Sequence, residues 1–267
     1  MNKTATIPEK YVLTPHGLRH VSDVRLVDEL DRGAIDPPLH PPTSFDQLRQ
    51  LGPGGWLESA YFPPSEPLKS MSVTFTVPEP PLKPGALIYL FPAAENAFLN
   101  TILQPVLQYG YNGNFGGNYW TVACWHANRH GVTRYSTPID NVSKGDTIVG
   151  TIKAIAFHDD SCDWAIEARV LSKEEERYTK LHVYGLETLL LFLAAGALEA
   201  YSLDDLNSLP EWPQYPESGS TEFRDIKLES LTENQFRANW RTRITPTDCG
   251  FAVNVSSDRS AVTLEYP

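Results

Sequence analysis

The chain is short of the residues that staple or anchor proteins. Its 267 residues include three cysteines, Cys124, Cys162 and Cys249. They are too few and too scattered for a disulfide framework or a thiolate metal site. At most one bridge could form, and free core thiols are the better reading. The longest apolar run, LLLFLAAGAL at 189–198, is about half the length a membrane-spanning helix needs. Positive charge is also scarce: 22 Lys+Arg against 33 Asp+Glu leave a formal charge of −11. Such a surface repels phosphate backbones, and no Lys/Arg stripe interleaved with aromatics offsets it, so nucleic acid is not an expected partner; nor, from the short apolar run, is a membrane. The charge reads as solubility. The N-terminal MNKTATIPEKYVLTPHG lacks the apolar stretch of a secretory signal. The expected location is therefore cytoplasmic, or secreted if a leader lies outside this sequence. P-loop, dinucleotide, HExxH and GxSxG elements are all missing.

What is present is enough apolar and aromatic residue, 41% and 11%, to fill a large core. Two regions differ in pattern. Residues 1–55 read as a partly irregular N-terminal extension. VSDVRLVDELDRG (21–33) offers a short amphipathic helix, and DPPLHPP (36–42) and LGPGGW (51–56) interrupt regular structure. Residues 56–267 read as one β-sandwich domain, because the period there is two. SVTFTV (72–77) sets Val73, Phe75 and Val77 against Ser72, Thr74 and Thr76. ALIYLF (86–91), TILQPVLQYG (101–110), NYWTVACWH (118–126), TIVGTIKAI (147–155), DWAIEARV (163–170), EFRDIKLE (222–229), FAVNVS (251–256) and AVTLEY (261–266) follow as strands. YNGNFGGN (111–118) and SKGD (143–146) are turn chemistry, supplying positive φ at glycine and asparagine. The expectation is an all-β, antiparallel two-sheet sandwich of the jelly-roll or concanavalin A-like kind. LETLLLFLAAGALEAY (186–201) has a helical composition, but a run apolar on both faces also suits a central strand.

Few side chains suggest chemistry by themselves. His126 and His130 are four apart, but a strand end and a glycine deny them helical geometry, so no metal site is expected. His158, Asp159 and Asp160 read as a solvated acidic loop. The unusual segment is TILQPVLQYGYNGNFGGNYW (101–120), which carries Gln104 and Gln108 into a Gly/Asn turn and then an aromatic strand. Pro105 cannot donate to a ladder, which predicts an edge strand or a bulge. Gln104 then either faces a groove or satisfies neighbouring backbone groups.

That segment, followed by NYWTVACWH and VSKGDTIVGTI, resembles the eqolisins, the fungal and bacterial glutamic peptidases. The resemblance covers roughly residues 70–230 and is most specific at the ILQ segment. It implies a sandwich of two curved seven-stranded sheets, similar to legume lectins, and a hydrolase of peptide or amide bonds without metal or cofactor. Gln104 matches the family's catalytic glutamine. Glu199, in ALEAYSLDD, is the match for its glutamate, with Glu187 as competitor. The glutamate would act as general base and then acid, and the glutamine would donate to the oxyanion. Gln108, Tyr119, Trp120 and Trp125 are the expected substrate-binding residues of a concave groove. The tryptophan that shapes the family's groove shortly before the ILQ strand is missing; Ile88 and Tyr89 stand there. Two other functions stay open. One is a non-catalytic sandwich binding carbohydrate or peptide, with Tyr111 and Phe115 as further stacking surfaces. The other is an intracellular enzyme acting on a small molecule in the same groove.

Overall fold

A computed structural model describes residues 7, 10–15, 17–27, 55–96, 101–128, 132–159, 161–186, 190–206, 208–232, 237–245 and 249–267. Among them no α-helix occurs. The strands are β1 (Tyr11–Thr14), β2 (Gly17–His20), β3 (Val24–Leu26), β4 (Gly55–Phe62), β5 (Leu68–Thr76) and β6 (Ala86–Asn96). They continue with β7 (Thr101–Tyr109), β8 (Trp120–Asn128), β9 (Thr133–Tyr135), β10 (Ile139–Val142), β11 (Thr147–Phe157) and β12 (Cys162–Leu171). The last are β13 (Glu176–Leu186), β14 (Leu190–Ser202), β15 (Ser220–Ser230), β16 (Arg241–Ile244), β17 (Ala252–Val255) and β18 (Val262–Glu265). A nine-stranded sheet runs β16-β4-β14-β6-β7-β8-β9-β3, with β10 also on β8; a seven-stranded sheet runs β13-β12-β11-β5-β15-β18-β17. The expected sandwich is there, with nine and seven strands rather than seven and seven.

The small sheet obeys simple alternation. On β5 Met71, Val73 and Phe75 are buried between the sheets, and on β12 Trp164, Ile166, Ala168 and Val170 join them. The large sheet differs, because both its faces are buried. Its inner face carries Leu90, Leu103, Leu107 and Leu198 into the inter-sheet core, and its outer face carries Leu87, Phe91, Ile102, Val106 and Trp125 into a second cluster. Covering the second cluster is the β1–β2 hairpin, through Leu13 and Leu18. The N-terminal extension is thus more regular than its prolines and glycines suggest. Val21–Asp23 forms one 3₁₀ turn, not an amphipathic helix, and the chain then continues as β3, parallel to β9. The remainder of that helix and the segments at 28–54 lie outside the described residues, as do His130, Asp160 and Glu187.

The ambiguous run at 186–201 is strand β14, and a bulge accounts for its two-faced hydrophobicity. Ala194 pairs with Ala93, yet Ala197 pairs with Phe91, so one extra residue is inserted between them. The insertion flips which side chains point outward: Ala194 before it, and Ala197, Glu199 and Tyr201 after it. Gly196, inside the bulge, leaves room for the sheet below; a Cβ there would lie 2.4 Å from the Phe223 ring.

Pro105 is neither at an edge nor in a bulge; β7 is central. The backbone of Cys124, its partner on β8, is satisfied on the far side by Ser136. Pro105 therefore turns its own backbone toward β6. There the register on either side, Leu90↔Leu107 and Ala94↔Leu103, brings it opposite Pro92. The two residues that lack donors face each other, so the ladder breaks once instead of twice. Turn glycines behave as the sequence indicates: Gly113 and Gly145 have φ of 98° and 83°. Asn112 serves its turn through its side chain instead, accepting from the N–H groups of Asn114 and Phe115.

Two stability measurements follow. Gly196→Ala should cost about 1–3 kcal/mol, read as a lower urea midpoint, because its methyl must displace the buried Phe223 from Phe75, 4.9 Å away between ring centroids. Glu58 of β4 is 1% exposed, and neither of its carboxyl oxygens has a partner. Burial pushes its pKa from 4.5 up to about 9, with smaller opposed effects from Glu265. The folded state keeps this proton while the unfolded chain loses it, so stability falls as pH rises from 4.5 toward 9. Glu58→Gln should flatten that part of the melting-temperature profile; an unchanged slope would place the cause elsewhere.

Candidate active site

The outer face of the large sheet holds the residues singled out by the sequence. Pairing aligns Trp56, Glu199, Tyr89, Gln108 and Thr121 in one row across β4, β14, β6, β7 and β8. Gln104 belongs to another row, opposite Trp125, and the register carries that row to Ala93 and Ala194. Gln104 and Glu199 thus share a face but are offset by four residues and two strands, about 13 Å along the strands and 10 Å across them.

Glu199 sits in a buried polar cluster. Its Oε1 accepts a hydrogen bond from the Tyr201 hydroxyl, which lies two residues on and therefore on the same face. Burial raises its pKa from 4.5 to about 8, against the lowering effect of that bond. Burial also drives Tyr89 and Tyr201 well above the usual tyrosine range, with the Glu199 charge adding to it. The hairpin closes over this group. Tyr89 donates its hydroxyl proton to the Leu13 carbonyl, Leu13 N donates to Asn112 O at 2.8 Å, and Gly17 gives Tyr201 a backbone hydrogen bond. At 1% exposure Glu199 meets no open groove, and its Oε2, like both polar atoms of the equally buried Gln104, has no partner.

Gln108 is committed to structure. Its Nε2 donates to the carbonyls of Gly110 and Phe115, at 2.9 and 3.2 Å, and its Oε1 accepts from Asn112 Nδ2 at 3.2 Å. It fixes the Gly/Asn turn, the role that had been the alternative for Gln104. Trp125 is fully buried and packs on Phe115 and Tyr135 at 5.7 and 5.1 Å. Trp120 points the other way, into the inter-sheet core against Tyr109, because residues five apart on a strand lie on opposite faces. Tyr119, just before β8, is half-buried beneath Gly117. His158 pairs with Asp163 at 3.1 Å. No group of three metal-ligating side chains forms among the described residues.

Gln104 differs from Gln108 in having nothing to bond. It is 0% exposed, and both Oε1 and Nε2 lack a partner, a cost of about 1–3 kcal/mol per unmet group. Its nearest carboxylate by register is one that the sequence reading passed over. Glu95 of β6 pairs with Ile102, two residues from Gln104 on the same face. This diagonal relation puts Cα atoms about 7–8 Å apart, within reach of long side chains. Glu95 is half-buried, and burial raises its pKa from 4.5 to about 7. The signal was available: Tyr89, Phe91, Ala93 and Glu95 alternate along ALIYLFPAAEN, so the only carboxylate of that strand falls on the glutamine's face.

No protein-family model and no curated protein sequence matches the chain. Solved structures do. Scytalido-glutamic peptidase with a transition state analog inhibitor aligns over 80% of this chain and 98% of its own, at 14% identity and a TM-score of 0.52. The same peptidase with a peptide-based analog gives 15% identity and a TM-score of 0.53, over 79% and 98%. SCP-B, a member of the eqolisin family in complex with the tripeptide Ala-Ile-His, gives 14% and 0.52, also over 79% and 98%. At this identity the likeness is one of architecture: the chain has the fold of the eqolisin glutamic peptidases.

Proposed function

We propose that the protein is a hydrolase of peptide or amide bonds, working at the end of the outer face that holds Gln104 and Glu95. The reading rests on one observation. A fully buried amide with both polar atoms unmet lies diagonal to a half-buried carboxyl whose pKa is about 7. Amide hydrolysis needs a base that changes protonation state and a neutral donor aimed at developing negative charge. Glu95 takes a proton from water as its oxygen bonds to the carbonyl carbon. Gln104 Nε2 donates to the resulting oxyanion. Collapse breaks the C–N bond, and Glu95 returns the proton to the leaving amine. Side chains alone meet both demands.

Glu199 remains the base implied by the family resemblance, but its row offset, its bond to Tyr201 and the hairpin above it favour a structural role. Ligand binding is the second reading. A stacking platform for sugars has little support, since Trp120 and Trp125 are buried.

Peptide libraries and unfolded proteins provide the test. Glu95→Gln should abolish cleavage, Glu199→Gln should leave it largely intact, and Gln104→Ala should lose roughly 10²–10³ in rate while keeping a residue of activity. Loss with Glu199→Gln and none with Glu95→Gln would reassign the base to Glu199. No cleavage by the wild type at any pH would leave binding as the function. For kcat/KM, the base must start unprotonated, so the profile should rise with pH through about 7 and level off above it.

A further inference from the structure

The other sheet carries a separate feature. β15 pairs with β18 only over Ser220–Phe223. Beyond that, Asp225 takes φ of 53° and the register with β5 shifts between Arg224 and Lys227. The strands fork, and the turn between β17 and β18 fills part of the gap, with Ile226 N donating to Ser260 O at 3.2 Å. What remains is a cavity of about 350 Å³, within the range of small-molecule sites. Its floor is apolar, formed by Ile226, Leu228, Ala238 and Trp240, and its rim carries Lys227, Arg237 and Arg259.

The rim gathers three cations around one apolar hollow on an otherwise acidic surface. Many other cations are paired, as in Lys69–Glu229, Lys153–Glu167 and Arg169–Glu176, while Lys83, Lys173, Arg241 and Arg243 are single exposed charges away from this cavity. Among the described residues, the side chains of Lys227, Arg237 and Arg259 make no ion pair or hydrogen bond. The one carboxylate at the cavity, Asp258, is already engaged: Ser256 and Ser260 donate to it through both hydroxyls and the Ser260 N–H. Trp240 Nε1 donates to the Arg259 carbonyl at 3.2 Å, which ties the position of that arginine to the floor.

We infer that this fork is a binding site for a small organic anion, a carboxylate or phosphate on a flat apolar body. The anion would be held by Arg237, Arg259 and Lys227, and the body would lie against Trp240. The site is independent of the hydrolase reading.

The test is titration of the full chain with phenylacetate, phenyl phosphate and inorganic phosphate, followed by calorimetry and by the indole N–H resonance of Trp240. The aryl anions should bind and shift that resonance, and benzyl alcohol should not. Which aryl anion binds tighter distinguishes a carboxylate from a phosphate ligand. Arg237→Gln and Arg259→Gln should each weaken binding by at least about tenfold, as expected for a charge-assisted bond, and added salt should weaken it further. Thermal melts of the variants establish that they are folded. Equal binding of the neutral alcohol, unchanged affinity in both arginine variants, binding that leaves Trp240 unmoved, or no binding at about 10 mM would each overturn the assignment.

Discussion

Burial of both faces of the nine-stranded sheet is the condition on which the rest of the molecule depends. Strands β6 and β7 are buried at nearly every position, so each residue must be apolar or find a partner. Full burial of a Leu- or Phe-sized side chain contributes about 1.5–3 kcal/mol, and the outer cluster needs a cover to collect it. The β1–β2 hairpin and the Gly/Asn turn provide that cover. They also supply backbone groups to polar side chains that would otherwise be stranded: Leu13 O to Tyr89, and the turn carbonyls to Gln108. Against this background the bare amide of Gln104 is, with the Glu58 carboxyl, a place where burial has not been matched by bonding at either polar atom.

Irregularities, more than regular pairing, decide where functional groups point. One extra residue near Gly196 turns Glu199 and Tyr201 outward; without it they would face the inter-sheet core. The shift at Asp225 opens the fork beside β18. Both bulges give up ladder bonds locally and gain a re-aimed side chain or a cavity in return.

The architecture was legible where one face is wet. SVTFTV and DWAIEARV alternate because the outer face of the smaller sheet meets solvent, and the period gives both strand and face. In LLLFLAAGALEAYS both faces are dry, so no period distinguishes helix from strand, and the bulge that sets the direction of Glu199 leaves no compositional mark. Pro105 pointed to an edge because its partner Pro92 is distant in sequence, and only pairing shows that the two deficits coincide. The site was legible in part. ILQ led to Gln104, and the resemblance led to Glu199, but a glutamate chosen by motif carries no register. Strand alternation along ALIYLFPAAEN already set Glu95 on the glutamine's face. The hairpin and β3 were hidden in short segments too brief to show a period.

The facing prolines have a mechanical meaning. Where Pro92 meets Pro105, the centre of the large sheet is joined by side-chain packing over Gly150, where a Cβ would lie 2.7 Å from Pro105 Cγ, and not by backbone bonds. The gap is confined to that one ladder: β7 stays paired with β8 from Thr101 to Tyr109, and β6 with β14 on both sides of it. The hairpin clamps one end of the β6–β7 joint across the Glu199–Tyr89–Gln108 row, the other end carries Glu95 and Ile102, and Gln104 stands beside the gap. The neighbouring ladders thus hold the sheet as one body, and the loss of bonding falls on a single joint, where packing has to do what hydrogen bonds do elsewhere.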